Sequence, residues 1–190
     1  MIEIQVLNKK TVTLPTWKFE KYVVEVPTPN TSFACPIGFD PGTTHLGIAQ
    51  LYSKDDKDRA DLWQISIERN ENPVFRIMMV KTILYELFGN PNADPRQYII
   101  IEGASFGNNF RQVELAEQRA ASALWFVPMT FYGSKQIKIV PPATIRKAVF
   151  GSGKIKAHEA WQLAGIPKNK QPSDALAALS CAYYGMMKGE

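Results

Sequence analysis

Residues 98–102 read Tyr-Ile-Ile-Ile-Glu. A short unbroken apolar run that stops at a polar residue fits a strand in the middle of a sheet, with helices over it. The run ends in an acid. A carboxylate placed directly after such a strand is half-buried, and buried acids are rare unless they are paired or bound to a cation. This segment therefore predicts a layered α/β architecture and marks Glu102 as a residue whose charge needs a partner.

The flanking patterns extend that reading. Ile37-Gly38-Phe39-Asp40 is a second apolar strand that ends in an acid, before a turn at Pro41-Gly42. Strands follow over 46–52 and 61–67, separated by the charged stretch 54–59, and such close connections suggest an antiparallel meander. Pro73 suits the first position of a helix over 73–88, where Phe75, Met78, Met79, Ile83, Leu84 and Leu87 recur at helical spacing. After the central strand, a helix over 110–126 carries small residues at Ala116, Ala120, Ala121 and Ala123, and a strand covers 136–140. Beyond Pro141-Pro142 come a short helix or turn over 144–150, the flexible Gly151-Ser152-Gly153, a helix over 157–163, and a last helix from Ser173-Asp174 to Lys188. The order β-β-β-α-β-α-β-α-α predicts a mixed five-stranded sheet flanked by helices. Residues 1–35 alternate apolar and polar positions at Ile2, Ile4 and Val6 and read as a short β-rich extension, which divides the chain into 1–35 and a main domain over 36–190.

Composition excludes several classes. The 190 residues are 45% apolar and 21% charged, as in an ordinary globular domain. No apolar run approaches the roughly 18 residues of a membrane helix, and the amino terminus lacks the cationic-then-apolar pattern of a secretory signal, so a cytoplasmic location is expected. Cys35 and Cys181 are too far apart in sequence for a metal knuckle and too few for a disulfide framework, and read as reduced structural thiols. The net charge is +4. The positive charge is concentrated between Lys135 and Lys170, where Lys135, Lys138, Arg146, Lys147, Lys154, Lys156, Lys168 and Lys170 face a single acid, Glu159. A basic stretch of this kind permits binding to nucleic-acid phosphates.

Asp40, Glu102 and Asp174 each sit at the edge of an element. In open α/β sheets, sites form at the carboxyl ends of strands. Parallel neighbours ending in Asp40 and Glu102 bring the two acids together, and the last helix lays Asp174 beside them. Each acid also has an ordinary explanation taken alone. An Asp before Pro-Gly starts turns, and an Asp in the first turn suits a helix dipole. Three converging carboxylates repel one another, and a hard divalent cation with oxygen ligands, Mg2+ or Mn2+, resolves the repulsion.

These residues resemble the motifs of the RuvC-type Holliday junction resolvases, in the ribonuclease-H-like superfamily. Residues 37–47, Ile-Gly-Phe-Asp-Pro-Gly-Thr-Thr-His-Leu-Gly, resemble the family's first motif, and Ile100-Ile101-Glu102 resembles the second. Gln118-Arg119-Ala120 resembles the following helix, residues 142–154 the basic stretch, and Ser173-Asp174-Ala175-Leu176-Ala177 the terminal motif. The resemblance covers about residues 36–187. It implies a ribonuclease-H-like fold, a homodimer, and cleavage of four-way DNA junctions with Mg2+ or Mn2+. By position it implies Asp40, Glu102 and Asp174 as metal ligands and Lys154 or Lys156 near the scissile phosphate. Phe106 falls near the family's wedge-forming aromatic, and Arg111, Arg146 and Lys147 join the lysines as DNA contacts. The alanine-rich helix 110–126 is the candidate dimer contact.

One position departs from the family. A second acid or a histidine usually stands three residues before the terminal Asp, and here it is Gln171. A glutamine can offer an amide oxygen to a metal but is no base. His158 and Glu159 are the other candidates for a fourth contact. The extra residues 1–35 suit a divergent member, such as one from a virus. Two rival functions stay open. Asp40-Pro41-Gly42-Thr43-Thr44 also resembles the phosphate-binding hairpin of the superfamily of actin, chaperone ATPases and sugar kinases, which implies an ATP-binding phosphotransferase fragment. A non-catalytic DNA-binding protein on the same fold is the third reading.

Overall fold

The computed structural model of the protein describes residues 1–27, 36–42, 44–54, 57–68, 75–76, 78–80, 82–83, 99–103 and 137–188. Its strands are β1 (Ile2–Leu14), β2 (Trp17–Glu25), β3 (Ile37–Asp40), β4 (His45–Lys54), β5 (Lys57–Ile67), β6 (Ile99–Glu102), β7 (Ile137–Val140) and β8 (Trp161–Leu163). They form one eight-stranded sheet in the order β7-β6-β3-β4-β5-β2-β1-β8. β3, β4 and β5 make the expected antiparallel meander, and β6 and β7 join β3 in parallel. The residues expected as a β-rich extension widen this sheet, because β2 pairs antiparallel with β5 and β1 pairs antiparallel with β2.

Two differences from the sequence patterns have local causes. The stretch 157–163 is not one helix: α-helix Ala157–Ala160 gives way to β8. Trp161 and Leu163 are buried and Gln162 is half-buried, the period of a strand, and β8 pairs in parallel with Ile2–Ile4 of β1. The open edge of β1, remote in sequence, decides the conformation there. β5 also begins at Lys57, inside the charged stretch expected as a loop, where Lys57 pairs with Lys54 and its ammonium reaches Glu25 at 3.0 Å.

The sheet is covered on both faces. On one, Ile37, Phe39, Leu46, Ile48, Trp63, Ile65, Ile67, Ile99 and Ile101 pack with Val80 and Ile83. The last two belong to the helical residues found at 75–76, 78–80 and 82–83. The other face carries the terminal helix Ser173–Lys188, which packs across β5, β4, β3 and β6. Helical spacing predicts a buried face of Ala175, Leu176, Leu179, Ala182, Tyr183 and Met186; all are buried except Met186, which is half-buried near the end of the helix. It lies unusually close to the sheet because β3 has no side chain beneath it at Gly38. A Cβ there would stand 1.8 Å from the Ala178 carbonyl oxygen. Beyond the helical residues named above, and numbered in chain order, the α-helices with described bounds are α1 (Pro142–Phe150), α2 (Ala157–Ala160) and α3 (Ser173–Lys188). Among the described residues no helix is long and apolar enough to cross a membrane.

Candidate active site

Strand register brings the first two acids together. β3 and β6 run in parallel with Phe39 opposite Ile101, so Asp40 and Glu102 are the next residues on neighbouring strands, whose backbones lie about 4.8 Å apart. On the other side of β3, Asp40 pairs with Gly47 of β4, and Gly47 pairs with Gln64 of β5. One row across the sheet thus reads Glu102, Asp40, Gly47, Gln64.

Asp174 enters this row from above. It lies in the first turn of α3, where the helix dipole favours a negative charge. The missing side chain at Gly47 makes room for its backbone. Gln64, 7% exposed, then takes hold of it. The Gln64 amide nitrogen donates to Asp174 Oδ2, and the Gln64 amide oxygen accepts the backbone N–H of Asp174 at 3.2 Å and of Ala175 at 3.0 Å.

Glu102 is also committed. It is 9% exposed, and its Oε1 lies 3.4 Å from Arg146 Nη2. Arg146 is held there by α1, whose Ile145 packs with Ile100, Val140 and Cys181. Cys181 reports on the charge of the site. Burial pushes its thiol well above the usual range, the charges of Glu102 and then Asp40 push in the same direction, and Arg146 opposes them. Burial is the larger cause, since Cys181 packs in the layer of Ile100, Val140 and Ile145 beneath the strand ends. This Cys181 is a free, buried thiol, in line with a structural role.

The structure thus sets Asp40, Glu102 and Asp174 along one end of one sheet. It does not close them on one another. Among the described residues no three His, Cys, Asp or Glu side chains converge as an ion would require. Asp174 turns to Gln64 and Glu102 to Arg146. What the three acids share with a site for a hard divalent cation is their chemistry, carboxylate oxygens supplied from three different elements.

The remaining expected residues sort by position. Arg146, expected to contact DNA, is the ion-pair partner of Glu102. Lys147 is exposed on α1, and Lys154 and Lys156 are exposed in the segment that follows it. Phe106, Arg111 and the alanine-rich helix 110–126 lie outside the described residues. Gln171 is engaged elsewhere: its amide oxygen accepts the Leu163 N–H at 2.9 Å, and its nitrogen donates to the carbonyls of Leu163 and Ile166. It ties β8 to the segment leading into α3. Glu159 accepts the N–H of Lys156 at 3.2 Å at the start of α2, and His158 lies on the same short helix. Gln64 carries no expectation from the sequence, although a glutamine on the face that also buries Ala60 and Leu62 was a signal.

No protein-family model matches the chain. It is 25% identical over 167 residues to the crossover junction endodeoxyribonuclease RuvC of Christiangramia forsetii, a match covering 81% of each chain. Its fold is similar to that of T. thermophilus RuvC. The TM-score is 0.57 at 19% identity for that protein in complex with a Holliday junction substrate, over 78% of this chain and 90% of that one. It is 0.55 at 18% identity for a second Thermus thermophilus RuvC structure, over 81% and 96%. The mixed sheet with its covering helices is the ribonuclease-H-like fold that the sequence motifs predict.

Proposed function

We propose that this chain is a divalent-metal-dependent endodeoxyribonuclease of the RuvC type, which hydrolyses DNA phosphodiesters at four-way junctions or other branched DNA during recombination. The observation that carries the reading is the row Glu102, Asp40, Gly47, with Asp174 seated over the glycine. The likeness to RuvC in sequence and in fold supports it. The domain that does this work is residues 36–190, with 1–35 as an extension whose β1 and β2 join its sheet, and its place is the cytoplasm, as a dimer of two identical chains.

Asp40, Glu102 and Asp174 would hold magnesium or manganese. When bound, such an ion supplies Lewis acidity toward a phosphate oxygen and toward water. The chain's own residues do the rest. Arg146, on the rim beside Glu102, is placed to meet a phosphate at the same strand ends and offers a planar, permanently charged fork for it. Lys147, Lys154 and Lys156 add positive charge around the approach. In the reaction the oxygen of water forms the new bond to phosphorus and the bond from phosphorus to one sugar oxygen breaks. The water proton passes to solvent, and the departing oxygen takes one up. Two copies of the chain acting together would nick two strands symmetrically.

The test is cleavage of matched junction, flap, duplex and RNA–DNA hybrid substrates with Mg2+, beside Asp40→Asn. Symmetric nicks on the junction, absent in the variant and in excess chelator, support the reading. Wild-type cleavage by Asp40→Asn, or cleavage in chelator, sinks it. ATP hydrolysis without nicking would favour the phosphotransferase alternative, and junction binding without nicking the non-catalytic one.

A further inference from the structure

We propose that Gln64 is the positioning residue for Asp174, setting the orientation of the carboxylate that would help to hold a divalent cation. The proposal rests on the reading of Asp174 as a metal ligand. Three contacts carry it. The Gln64 amide oxygen takes the N–H groups of both Asp174 and Ala175, two of the backbone donors that the first turn of a helix leaves without a helical partner. Its nitrogen donates to Asp174 Oδ2. One side chain therefore sets both where α3 begins and which way its first acid points.

Gln64 is well placed for this. Its backbone is fixed between two strands, paired to Gly47 on one side and to Glu20 on the other. Its side chain is buried, 7% exposed, so its rotamer is set by packing. The neighbouring Gly47 brings the Asp174 backbone down to the level of the sheet, within reach of an amide. Chemistry favours a glutamine here. An amide donor orients a carboxylate without neutralising it, so the charge that attracts a cation is kept. Partners that orient metal-binding side chains in this way are worth roughly 10–100-fold in metal affinity.

The experiment measures Mn2+ binding to the full chain without DNA, by the electron paramagnetic resonance signal of free Mn2+, for wild type, Gln64→Met, Gln64→Asn, Asp174→Asn and the double variant Gln64→Met/Asp174→Asn. Thermal unfolding is followed alongside. Gln64→Met is expected to weaken Mn2+ binding by at least about tenfold. Gln64→Asn, which keeps the amide on a shorter stem, should fall between wild type and Gln64→Met, and it decides the matter if Gln64→Met does not fold. In the Asp174→Asn background, Gln64→Met should produce no further weakening, because its effect passes through Asp174. Wild-type affinity in the Gln64 variants, with or without a lower Tm, would show a merely structural helix cap and overturn the proposal. So would an equal loss from Gln64→Met in both backgrounds. Unchanged Mn2+ binding in Asp174→Asn itself would instead overturn the assignment of Asp174 as a ligand.

Discussion

Gly47 lies directly beneath the backbone of Asp174: a Cβ on this glycine would stand 1.9 Å from the Asp174 carbonyl oxygen and 2.1 Å from its carbonyl carbon. Those atoms belong to helix α3, which cannot yield without moving along its length. Gly47→Ala should therefore lift the start of α3 off β4. The expected cost is about 1–3 kcal/mol, as for other overpacked cores. Displacing Asp174 by a fraction of an ångström to an ångström should lower cleavage on the order of 10²-fold. Urea unfolding and junction cleavage measured on the same preparation check both, and wild-type activity in Gly47→Ala would separate Asp174 from the chemistry.

Glu102→Gln tests the central acid. The substitution keeps size and hydrogen-bonding capacity but removes the charge that faces Arg146. Cleavage should be abolished. Junction affinity in chelator should be retained or rise, since Arg146 loses its anionic partner and keeps its own charge. Gel-shift titration and a nicking assay separate the two effects, and retained cleavage would remove Glu102 from the proposed site.

The exposed lysines predict a salt effect. Lys147, Lys154 and Lys156 are all exposed on α1 or in the segment after it. If each meets a phosphate, replacing all three by alanine should flatten the plot of log affinity against log salt by about 0.9 for every phosphate that is no longer neutralised. The fold should be unaffected. A slope equal to that of wild type would place these lysines away from the DNA.

The strand ends were legible because the information is local. Ile37–Asp40 and Ile99–Glu102 are short apolar runs that stop at an acid, and they pair in parallel as neighbours. The start of α3 was legible for a similar reason, as Ser173-Asp174 opens a periodic helix. What the sequence hid depends on partners remote in the chain. β8 is a strand because β1 offers it an edge, and no pattern within 157–163 announces that. Gln64 reads as an ordinary polar residue of a half-buried strand until α3, more than a hundred residues later, settles over it. Gln171 misleads in the opposite way, since its spacing from Asp174 suggests a ligand while its side chain is spent on Leu163 and Ile166.

That difference between two glutamines is testable. Gln171→Leu removes the hydrogen bonds to the Leu163 N–H and to the carbonyls of Leu163 and Ile166. Leaving such half-buried groups without partners should cost about 1–3 kcal/mol. The metal concentration that gives half-maximal cleavage should not change, because none of these bonds reaches the acids. Chemical denaturation and a metal titration of cleavage check the pair of outcomes. A shifted metal requirement without loss of stability would return Gln171 to the site.

Cys181 gives the site a signature at alkaline pH. Its thiol is raised well above the ordinary value of 9.0, first by burial and then by the charges of Glu102 and Asp40. In the unfolded chain the same thiol ionises near its ordinary value. Above that pH the unfolded state binds fewer protons than the folded state, so stability falls as pH rises. The contribution is fully present below pH 9.0 and is lost progressively above it, at up to about 1.4 kcal/mol per pH unit for one group. Tyr22, Tyr52 and Tyr183 are also raised, but from an ordinary value of 10.0, so their share begins later. Unfolding free energy measured between pH 9 and 10 should therefore decline in wild type and decline less in Cys181→Ala. Equal slopes would mean that the thiol ionises in the folded protein as easily as in the unfolded one, so that its burial does not hold it neutral.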